Sequence, residues 1–272
     1  MNPVSPDAQF SGSVAELYDQ LLVPLIFEPY AADLARRTAL RKPLRVLEVA
    51  AGTGVVTRAL AGVLPDNALI VATDLNQPML DRAATVPIRR AVQWRQADAL
   101  HLPFEDATFE AVVCQFGVMF FPDKPRAFAE ARRVLAPGGA LLFNVWDRIE
   151  HNEFADTVTT ALAGLFPDDP PRFMVRTPHG YSERARIVQD LRDGGFASAP
   201  EFETLTARSR ASAPRDPAIA YCQGTPLRDE IQARDSRALA AATDACAAAI
   251  ARRFGPAAVD GKIQAHVCAI EA

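Results

Sequence analysis

The chain has 272 residues, of which 49% are hydrophobic and 23% charged, and its formal net charge is -4. This balance is typical of a globular protein with a substantial core, and the slight acidic excess without a long basic run disfavours nucleic acid or an anionic membrane as partner. No stretch approaches the roughly 20 apolar residues of a membrane span and no secretory leader is recognisable, so we expect a cytoplasmic protein that acts on a small molecule.

Short apolar segments alternate with helical patterns along the first half of the chain. This rhythm is typical of a parallel sheet with helices packed on both of its faces. We predict five strands in this region, over residues 43–49, 68–74, 92–97, 109–115 and 139–146.

Two of the intervening helices have clear sequence signals. Residues 55–64 place apolar side chains, Val63 among them, at helical spacing. The second helix has Asp123 as its N-cap and Pro125 in its first turn, and we predict that it ends at the sequence Pro-Gly-Gly, residues 137–139.

The rhythm changes beyond residue 150. We predict helices over 151–166, 183–196 and parts of 216–255, strands over 202–212 and 261–272, and a proline-rich connector over 167–182. His179 lies in that connector, where we expect it to be exposed to solvent.

Four cysteines and four histidines are scattered along the chain without the spacing of a zinc site or a disulfide framework. We therefore predict buried free thiols and no structural metal; the residues are Cys114, Cys222, Cys246, Cys268, His101, His151, His179 and His266.

The turn after the first predicted strand is rich in small residues. Glu48 is followed by the sequence Val-Ala-Ala-Gly-Thr-Gly, which ends at Gly54. In an open α/β sheet this turn exposes backbone N–H groups at a helix N-terminus, where ligands bind. Glycine pairs in tight turns are common, so the neighbouring residues must identify the ligand.

Three nucleotide-binding turns are compatible with two close glycines. A P-loop is excluded because no Gly-Lys-Ser/Thr follows. A dinucleotide turn requires a third glycine, which is replaced here by Thr57, and the carboxylate of Glu48 would repel a pyrophosphate. A ligand with a positively charged amino group would instead be attracted to that carboxylate.

Acidic residues also end the second and third predicted strands. Asp74 lies 20 residues after Gly54, a position from which a carboxylate can accept hydrogen bonds from ribose hydroxyls. Asp98 could accept from an adenine amine beside the backbone of Ala99. Further candidates for contact with the ligand at the same edge of the sheet are Leu75, Met79, Gln115 and Phe116.

In these motifs the chain resembles the class I adenosylmethionine-dependent methyltransferases, and most closely the branch similar to the quinone-biosynthesis enzymes. The resemblance rests on VLEVAAGTG, VATDLNQPML, QADALHLPFEDATFEAVVCQFGVMFF and RVLAPGGALLF, and extends from about residue 10 to residue 146. It implies a Rossmann-like, doubly wound, mostly parallel seven-stranded sheet with an antiparallel last strand. The long helical segment near the C-terminus departs from the quinone enzymes and puts a quinone substrate in doubt.

The resemblance also implies a cofactor, S-adenosyl-L-methionine, and a role for each candidate. Glu48 would hold its amino group; Ala50, Gly52 and Gly54 would line its methionine end; Asp74 would bind the ribose; Asp98 and Ala99 would bind the adenine. Tyr18 resembles a residue of the helical cover over the cofactor.

The expected organisation is a single methyltransferase domain over residues 1–272. Its parts are a helical cover (1–42), a cofactor-binding core (43–146), a cap insert with a helix (147–198) and C-terminal strands with a helical insert (199–272).

The expected reaction is in-line transfer of a methyl group to a small, partly apolar acceptor, with no nucleophilic side chain required. If the acceptor needs a base, His151, His179, Tyr30 and Tyr181 are candidates among which the sequence does not choose. The partner is a small molecule, with a homodimer possible. The alternatives are a non-catalytic, regulatory nucleotide-binding protein and, less favoured, a NAD(P)-dependent dehydrogenase.

Overall fold

A computed structural model describes Asp7 and residues 12–272. The chain forms two compact units. Among the described residues, unit 1 consists of Asp7, residues 12–27, Trp146–Gly180 and Thr206–Gln264, and unit 2 of Glu28–Val145, Tyr181–Leu205 and Ala265–Ala272. The assignment of residues 1–272 to one domain stays a prediction.

Seven strands form one sheet in the order β3-β2-β1-β4-β5-β7-β6. Strands β1 to β4 lie within the predicted ranges, β5 begins four residues earlier than predicted, and β6 and β7 complete the sheet. The strands are β1 (Arg45–Val49), β2 (Leu69–Asp74), β3 (Gln93–Gln96), β4 (Phe109–Gln115), β5 (Leu135–Trp146), β6 (Glu201–Ala211) and β7 (Val259–Glu271).

The first five strands pair in parallel, with β1 between β2 and β4. The last strand is antiparallel to β5, because the amide of Asp147 donates to the carbonyl of Gln264 while that of Ala272 donates to Gly139. The mostly parallel, Rossmann-like sheet with an antiparallel last strand confirms the expected fold class.

Helices connect the strands. They are α1 (Gly12–Leu17), a π-helix (Tyr18–Phe27), α2 (Glu28–Leu40), α3 (Val55–Val63), α4 (Gln77–Thr85), α5 (Lys124–Val134), α6 (Glu153–Leu165), α7 (Phe173–Arg176), α8 (Arg184–Asp193), α9 (Arg215–Gln223), α10 (Leu227–Arg234) and α11 (Leu239–Phe254), with short 3₁₀ turns at Val118–Phe120 and Ile149–His151. No described helix is both long enough and apolar enough to cross a membrane.

An apolar cluster of unit 2 lies between its sheet and helices α2 and α3. Leu34 of α2, Leu60 of α3 and Ile70 of β2 are fully buried in it, together with Val46 and Leu142 of the neighbouring strands. Burial of such side chains contributes about 1.5 to 3 kcal/mol each, which fixes the strand ends that carry the candidate site.

Several local predictions differ from the structure. Helix α5 begins as predicted, with the Asp123 carboxylate accepting from the amide of Arg126, but it ends at Val134. The following Pro-Gly-Gly lies inside β5, where Gly138 has a φ of 76°. Val63, predicted on the buried face of α3, is 51% exposed. Helix α3 buries only part of its apolar face, so Val63 lies outside the buried side although it follows the apolar spacing.

Candidate functional site

The turn between β1 and α3 has left-handed backbone at three positions. The φ angles are 56° at Ala50, 56° at Gly52 and 83° at Gly54. A Cβ on Gly54 would lie 2.9 Å from Cη2 of Trp94, so this glycine is required by packing as well as by its backbone angle. The turn therefore needs small residues directly in front of α3, where Gly52 is half-buried and Thr53 and Gly54 are buried.

Asp74 ties the end of β2 to this turn. Its Oδ2 accepts a hydrogen bond of 2.8 Å from the amide of Gly52, and its Oδ1 accepts one of 2.8 Å from the amide of Asn76. Burial raises the pKa of Asp74, whereas these amides act to lower it. The side-chain amide of Asn76 also donates to Oδ1 at 3.4 Å, so the acceptor capacity left for a ligand lies chiefly on Oδ2.

Glu48 is 1% exposed at the end of β1. Burial, and to a lesser extent the negative charge of Asp74, raises its pKa to about 8, while the hydroxyl of Thr57 donates to its Oε2 at 2.5 Å and acts to lower the pKa. The carboxyl is therefore mostly protonated at neutral pH. A cationic group brought close to it would favour the ionised form.

Thr53, in the middle of the turn, is 1% exposed. Its hydroxyl has no hydrogen-bond partner among the residues that the structure describes. A buried hydroxyl without a partner costs about 1 to 3 kcal/mol, so the turn offers a hydrogen-bonding group that its own fold leaves unused. Sequence reasoning did not single out this residue.

The end of β3 joins the same edge of the sheet. The amide of Ala97 donates to the carbonyl of Asp74 at 3.0 Å. The next residue, Asp98, is half-buried, and its Oδ1 accepts from the amide of Leu100 at 2.9 Å. Ala99 beside it is 9% exposed. The structure therefore brings the predicted acids of β1, β2 and β3 to one edge.

The chain bends sharply after β4 at Phe116, whose φ is 51°. Its amide lies 3.0 Å from Oδ1 and 3.1 Å from the carbonyl oxygen of Asn144 in β5, and Asn144 also donates to Oε1 of Gln115 at 3.4 Å. The Phe116 ring meets the buried ring of Tyr30 edge-on at 5.2 Å. A left-handed aromatic residue is uncommon, and here the neighbouring strand holds it in place.

The bend after β4 lies directly against the turn after β1. A Cβ on Gly117 would be 2.5 Å from Cβ of Ala50 and 2.7 Å from Sγ of Cys114, closer than such atoms approach in proteins. Gly117 and Asn144 were both missed in the sequence. The available signals were a glycine directly after a strand, and a single polar residue within the apolar run of β5.

Three further residues were predicted to contact the ligand, namely Met79, Leu75 and Tyr18. Met79 is 3% exposed and Leu75 is half-buried, which is compatible with packing as well as with a ligand. Tyr18 belongs to unit 1, where it stacks on Phe27 with ring centroids 5.1 Å apart. Their proposed contacts with a ligand stay predictions.

Three of the four candidate bases, Tyr30, Tyr181 and His151, have polar partners within the protein. Tyr30 donates to the carbonyl of Leu205 at 3.3 Å, and Tyr181 donates to Asp190 at 2.8 Å. Burial raises the pKa of Tyr181. Nδ1 of His151 lies 3.0 Å from Oδ2 of Asp147, and its side chain is 45% exposed.

His179 corrects a prediction. It was expected to be exposed in a proline-rich connector, but it is 8% exposed, because its amide closes the turn after α7 onto the carbonyl of Met174 at 3.0 Å. Its ring therefore packs inside unit 1.

All four cysteines are buried, as predicted, and Cys222 and Cys246 lie 3.7 Å apart between their sulfur atoms. In the described part of the chain, no group of three or more histidine, cysteine, aspartate or glutamate side chains could hold a metal ion.

Residues 47–143 match the sequence profile of a family described as "Methyltransferase domain". The ubiquinone/menaquinone biosynthesis C-methyltransferase UbiE of Teredinibacter turnerae is 41% identical over 102 residues, which are 36% of this chain and 41% of that protein. The UbiE protein of Ralstonia pickettii is 29% identical over 208 residues, 72% of this chain and 85% of that protein. The alignment with the first relative thus spans less than half of either protein.

Solved structures share the fold at low sequence identity. The [4+2]-cyclase SpnF has a TM-score of 0.59 and 20% identity, covering 97% of this chain and 94% of its own. A phosphoethanolamine N-methyltransferase of Haemonchus contortus, solved with phosphomonomethylethanolamine and S-adenosylhomocysteine, has a TM-score of 0.58 and 17% identity, covering 100% of this chain and 61% of its own. Since one of these proteins is a cyclase, the fold alone does not select the reaction.

Proposed function

We propose that this chain, whose residues 47–143 match a family described as "Methyltransferase domain", transfers a methyl group from S-adenosyl-L-methionine to a small, partly apolar molecule. The observation that supports this most is the edge formed by β1, β2 and β3, where the buried acids Glu48 and Asp74 and the half-buried Asp98 lie around the turn before α3. The relative from Haemonchus contortus, which was solved with S-adenosylhomocysteine, supports the choice of cofactor.

The residues at this edge fit the chemistry of the proposed cofactor. The buried carboxyl of Glu48 has a pKa raised to about 8 although the charge of Arg58 acts to lower it, and the ammonium and sulfonium of adenosylmethionine would favour its ionised form further. The unpartnered hydroxyl of Thr53 is available to a carboxylate. The acceptor capacity left on Oδ2 of Asp74 suits a ribose hydroxyl.

We assign each residue that was predicted to contact the cofactor one of three kinds of contact. Charged or polar contacts come from the strand ends, backbone contacts from the turn, and apolar contacts from the flanking residues. The proposed cofactor-binding residues are Tyr18, Glu48, Ala50, Gly52, Gly54, Asp74, Leu75, Met79, Asp98, Ala99, Gln115 and Phe116.

Adenosylmethionine supplies a methyl group already activated by a positively charged sulfur. The protein therefore needs to bind, orient and exclude water, and orientation alone contributes about 7 to 11 kcal/mol in well-aligned systems. The packing of Gly117 against Ala50 and the hydrogen bonds that the amide of Phe116 donates to Asn144 hold the edge rigid. Such rigidity is what an orienting site requires.

A dehydrogenase is not favoured by this geometry. Thr57 occupies the position of the third glycine of a dinucleotide turn, and its hydroxyl is bound to Glu48. A pyrophosphate at this turn would face the carboxyl of Glu48. A regulatory protein that only binds the nucleotide shares the same edge, and only measured methyl transfer separates it from an enzyme.

The experiment that tests the proposal is transfer of labelled methyl from adenosylmethionine to the small molecules of a cell extract. We expect a labelled product with the wild-type protein, much less with Asp74→Asn, and wild-type levels with the surface control Asp168→Asn. Binding of adenosylmethionine without any labelled product would favour the regulatory alternative. The cytoplasm stays the predicted location. The molecular mass in solution distinguishes a monomer from the proposed homodimer.

A further inference from the structure

Two buried thiols of unit 1 lie directly against each other. Cys222, near the end of α9, and Cys246, in the middle of α11, are both 0% exposed. Their sulfur atoms lie 3.7 Å apart, with the thiol of Cys222 donating to the sulfur of Cys246. The thiol of Cys246 donates to the carbonyl of Val158 in α6 at 3.8 Å. The helices α6, α9 and α11 therefore meet at this pair of thiols.

Neighbouring residues hold the two helices together beside the thiols. Nε2 of Gln223, the last residue of α9, donates to Oγ1 of Thr243 in α11 at 3.1 Å. The residue after α9 also packs against the π-helix, since a Cβ on Gly224 would lie 3.5 Å from Cδ1 of Leu22. These contacts keep the two sulfur atoms close to each other in the folded state.

The gap between the sulfur atoms can be closed by a covalent bond. A disulfide has an S–S distance of about 2.05 Å, so the sulfur atoms of Cys222 and Cys246 need to approach by roughly 1.7 Å. Rotation about the Cα–Cβ bond moves a cysteine sulfur by more than this distance. A disulfide between α9 and α11 therefore requires no large shift of either helix.

The folded state protects both thiols from reaction. The hydrogen bond to Cys246 and burial raise the pKa of Cys222, so its thiol stays protonated at neutral pH. The thiolate is the reactive form of cysteine. Because both side chains are fully buried, an oxidant reaches them only when α9 and α11 separate locally. Oxidation should therefore be slow in the folded protein and faster under conditions that favour local opening.

We propose that Cys222 and Cys246 form a reversible dithiol–disulfide pair, which a hydroperoxide oxidises and a thiol reductant reduces. The inference goes beyond the proposed function, because it involves neither the methyl donor nor the acceptor. The disulfide joins residues that are 24 positions apart and encloses α10 in the resulting loop. Closure of such a loop restricts the unfolded chain and so stabilises the folded state. Oxidation thus opposes the local opening of α9, α10 and α11.

The reaction consumes one molecule of hydrogen peroxide for each disulfide. The thiolate of one cysteine attacks a peroxide oxygen, the O–O bond breaks, and a sulfenic acid and one water are formed. The thiolate of the other cysteine then attacks the sulfenic sulfur, which forms the S–S bond and releases the oxygen as a second water. The two thiols together lose two electrons and two protons. In the reverse direction, a dithiol reductant becomes a disulfide while both thiols are restored.

Peptide mapping of the full chain after treatment with hydrogen peroxide tests the pairing, with free thiols blocked before digestion. We expect a linked peptide pair that joins Cys222 to Cys246, and no linked peptide that contains Cys114 or Cys268 of unit 2. Dithiothreitol should restore both thiols. The linked pair should form several-fold faster in urea at a concentration below the unfolding transition, because local opening exposes the thiols.

The effect on stability is measured by urea unfolding of the reduced and the oxidised protein. The midpoint of the oxidised wild type should be higher by roughly 0.5 to 1 M and should fall back after reduction. Cys222→Ser should abolish this rise. Cys268→Ser is the matched control and should keep it, since Cys268 is also a buried thiol, with 1% exposure. The two forms of the wild type share one sequence, so their comparison does not depend on the folding of a variant.

Three results would overturn the inference. They are the absence of the linked pair from oxidised wild type, its appearance only in the fully unfolded chain, and an unchanged midpoint after it has formed. Adenosylmethionine is not present in any of these measurements. Their failure therefore rejects only the disulfide, whereas failure of adenosylmethionine to bind the reduced wild type rejects the proposed function.

Discussion

The carboxylate of Asp74 accepts a hydrogen bond of 2.8 Å from the amide of Gly52, which joins the end of β2 to the turn after β1. This bond links two of the sequence features used to predict the site. It also means that Asp74 shapes the turn as well as facing the proposed cofactor.

Replacement of Asp74 should therefore weaken both the hydrogen bond that holds the turn and the proposed contact with the cofactor. Asp74→Asn retains one carbonyl oxygen for the amides of Gly52 and Asn76 but loses the negative charge. We expect the affinity for adenosylmethionine to fall by about 1 to 3 kcal/mol, the range for hydrogen bonds to charged groups. Calorimetric titration measures this, with Asp168→Asn as the exposed control. Unchanged affinity would remove Asp74 from the site.

The pKa of Glu48 predicts a pH-dependent stability. Because the folded-state pKa of about 8 lies above the ordinary value of 4.5, the folded state holds a proton that the unfolded state releases between these pH values. The contribution to stability is complete below pH 4.5 and is lost as pH rises through 8, with a slope of at most about 1.4 kcal/mol per pH unit.

Urea unfolding of the ligand-free protein at several pH values between 4.5 and 8 measures this slope. Glu48→Gln, which stays neutral, should remove that part of the pH dependence, while the exposed control Glu105→Gln should keep it. An identical slope in wild type and Glu48→Gln would show that Glu48 is ionised throughout the range.

Contact between the bends after β1 and β4 predicts the effect of a single methyl group. Gly117→Ala would place a Cβ 2.5 Å from that of Ala50, and relief of this overlap should cost about 1 to 3 kcal/mol of stability. Affinity for adenosylmethionine should fall as well, because the turn must shift. Gly164→Ala, which has open space around it, is the control. Equal unfolding midpoints for both variants would contradict this packing.

Asn144 should matter through the bend at Phe116. Asn144→Leu fills a similar volume but leaves the buried amide of Phe116 without the side-chain acceptor, at a cost of about 1 kcal/mol, since the carbonyl of residue 144 remains. Asn144→Asp keeps an acceptor at that amide and should preserve the affinity for adenosylmethionine better than Asn144→Leu does. Equal affinities in the two variants would show that the side-chain bond does not position the site.

Most of the sheet could be predicted because its strands are short, apolar and separated by clear turn signals. The start of β5 could not be predicted from the sequence. Proline and glycine residues normally mark the end of a helix, but here they lie within the first residues of the strand. The π-helix at Tyr18–Phe27 was equally inaccessible, since its apolar pattern does not distinguish it from an α-helix.

The acids of the site could be predicted because each ends a strand, and parallel strands end at one edge. The residues that position the strand ends carrying these acids could not be predicted from the sequence. Asn144 and Gly117 act across strands that are distant in the sequence, and the burial of His179 depends on the short helix α7 within a connector that carries few helical signals.

The central claim is that the turn after β1 binds a positively charged donor. Calorimetry at pH 7 in two buffers of different ionisation enthalpy tests it most directly, because an ammonium or sulfonium beside Glu48 should lower its pKa and release a proton on binding. We predict that adenosylmethionine binds with release of up to about one proton per site, that Glu48→Gln abolishes the release, and that NAD does not bind. Binding of NAD in preference to adenosylmethionine would contradict the account.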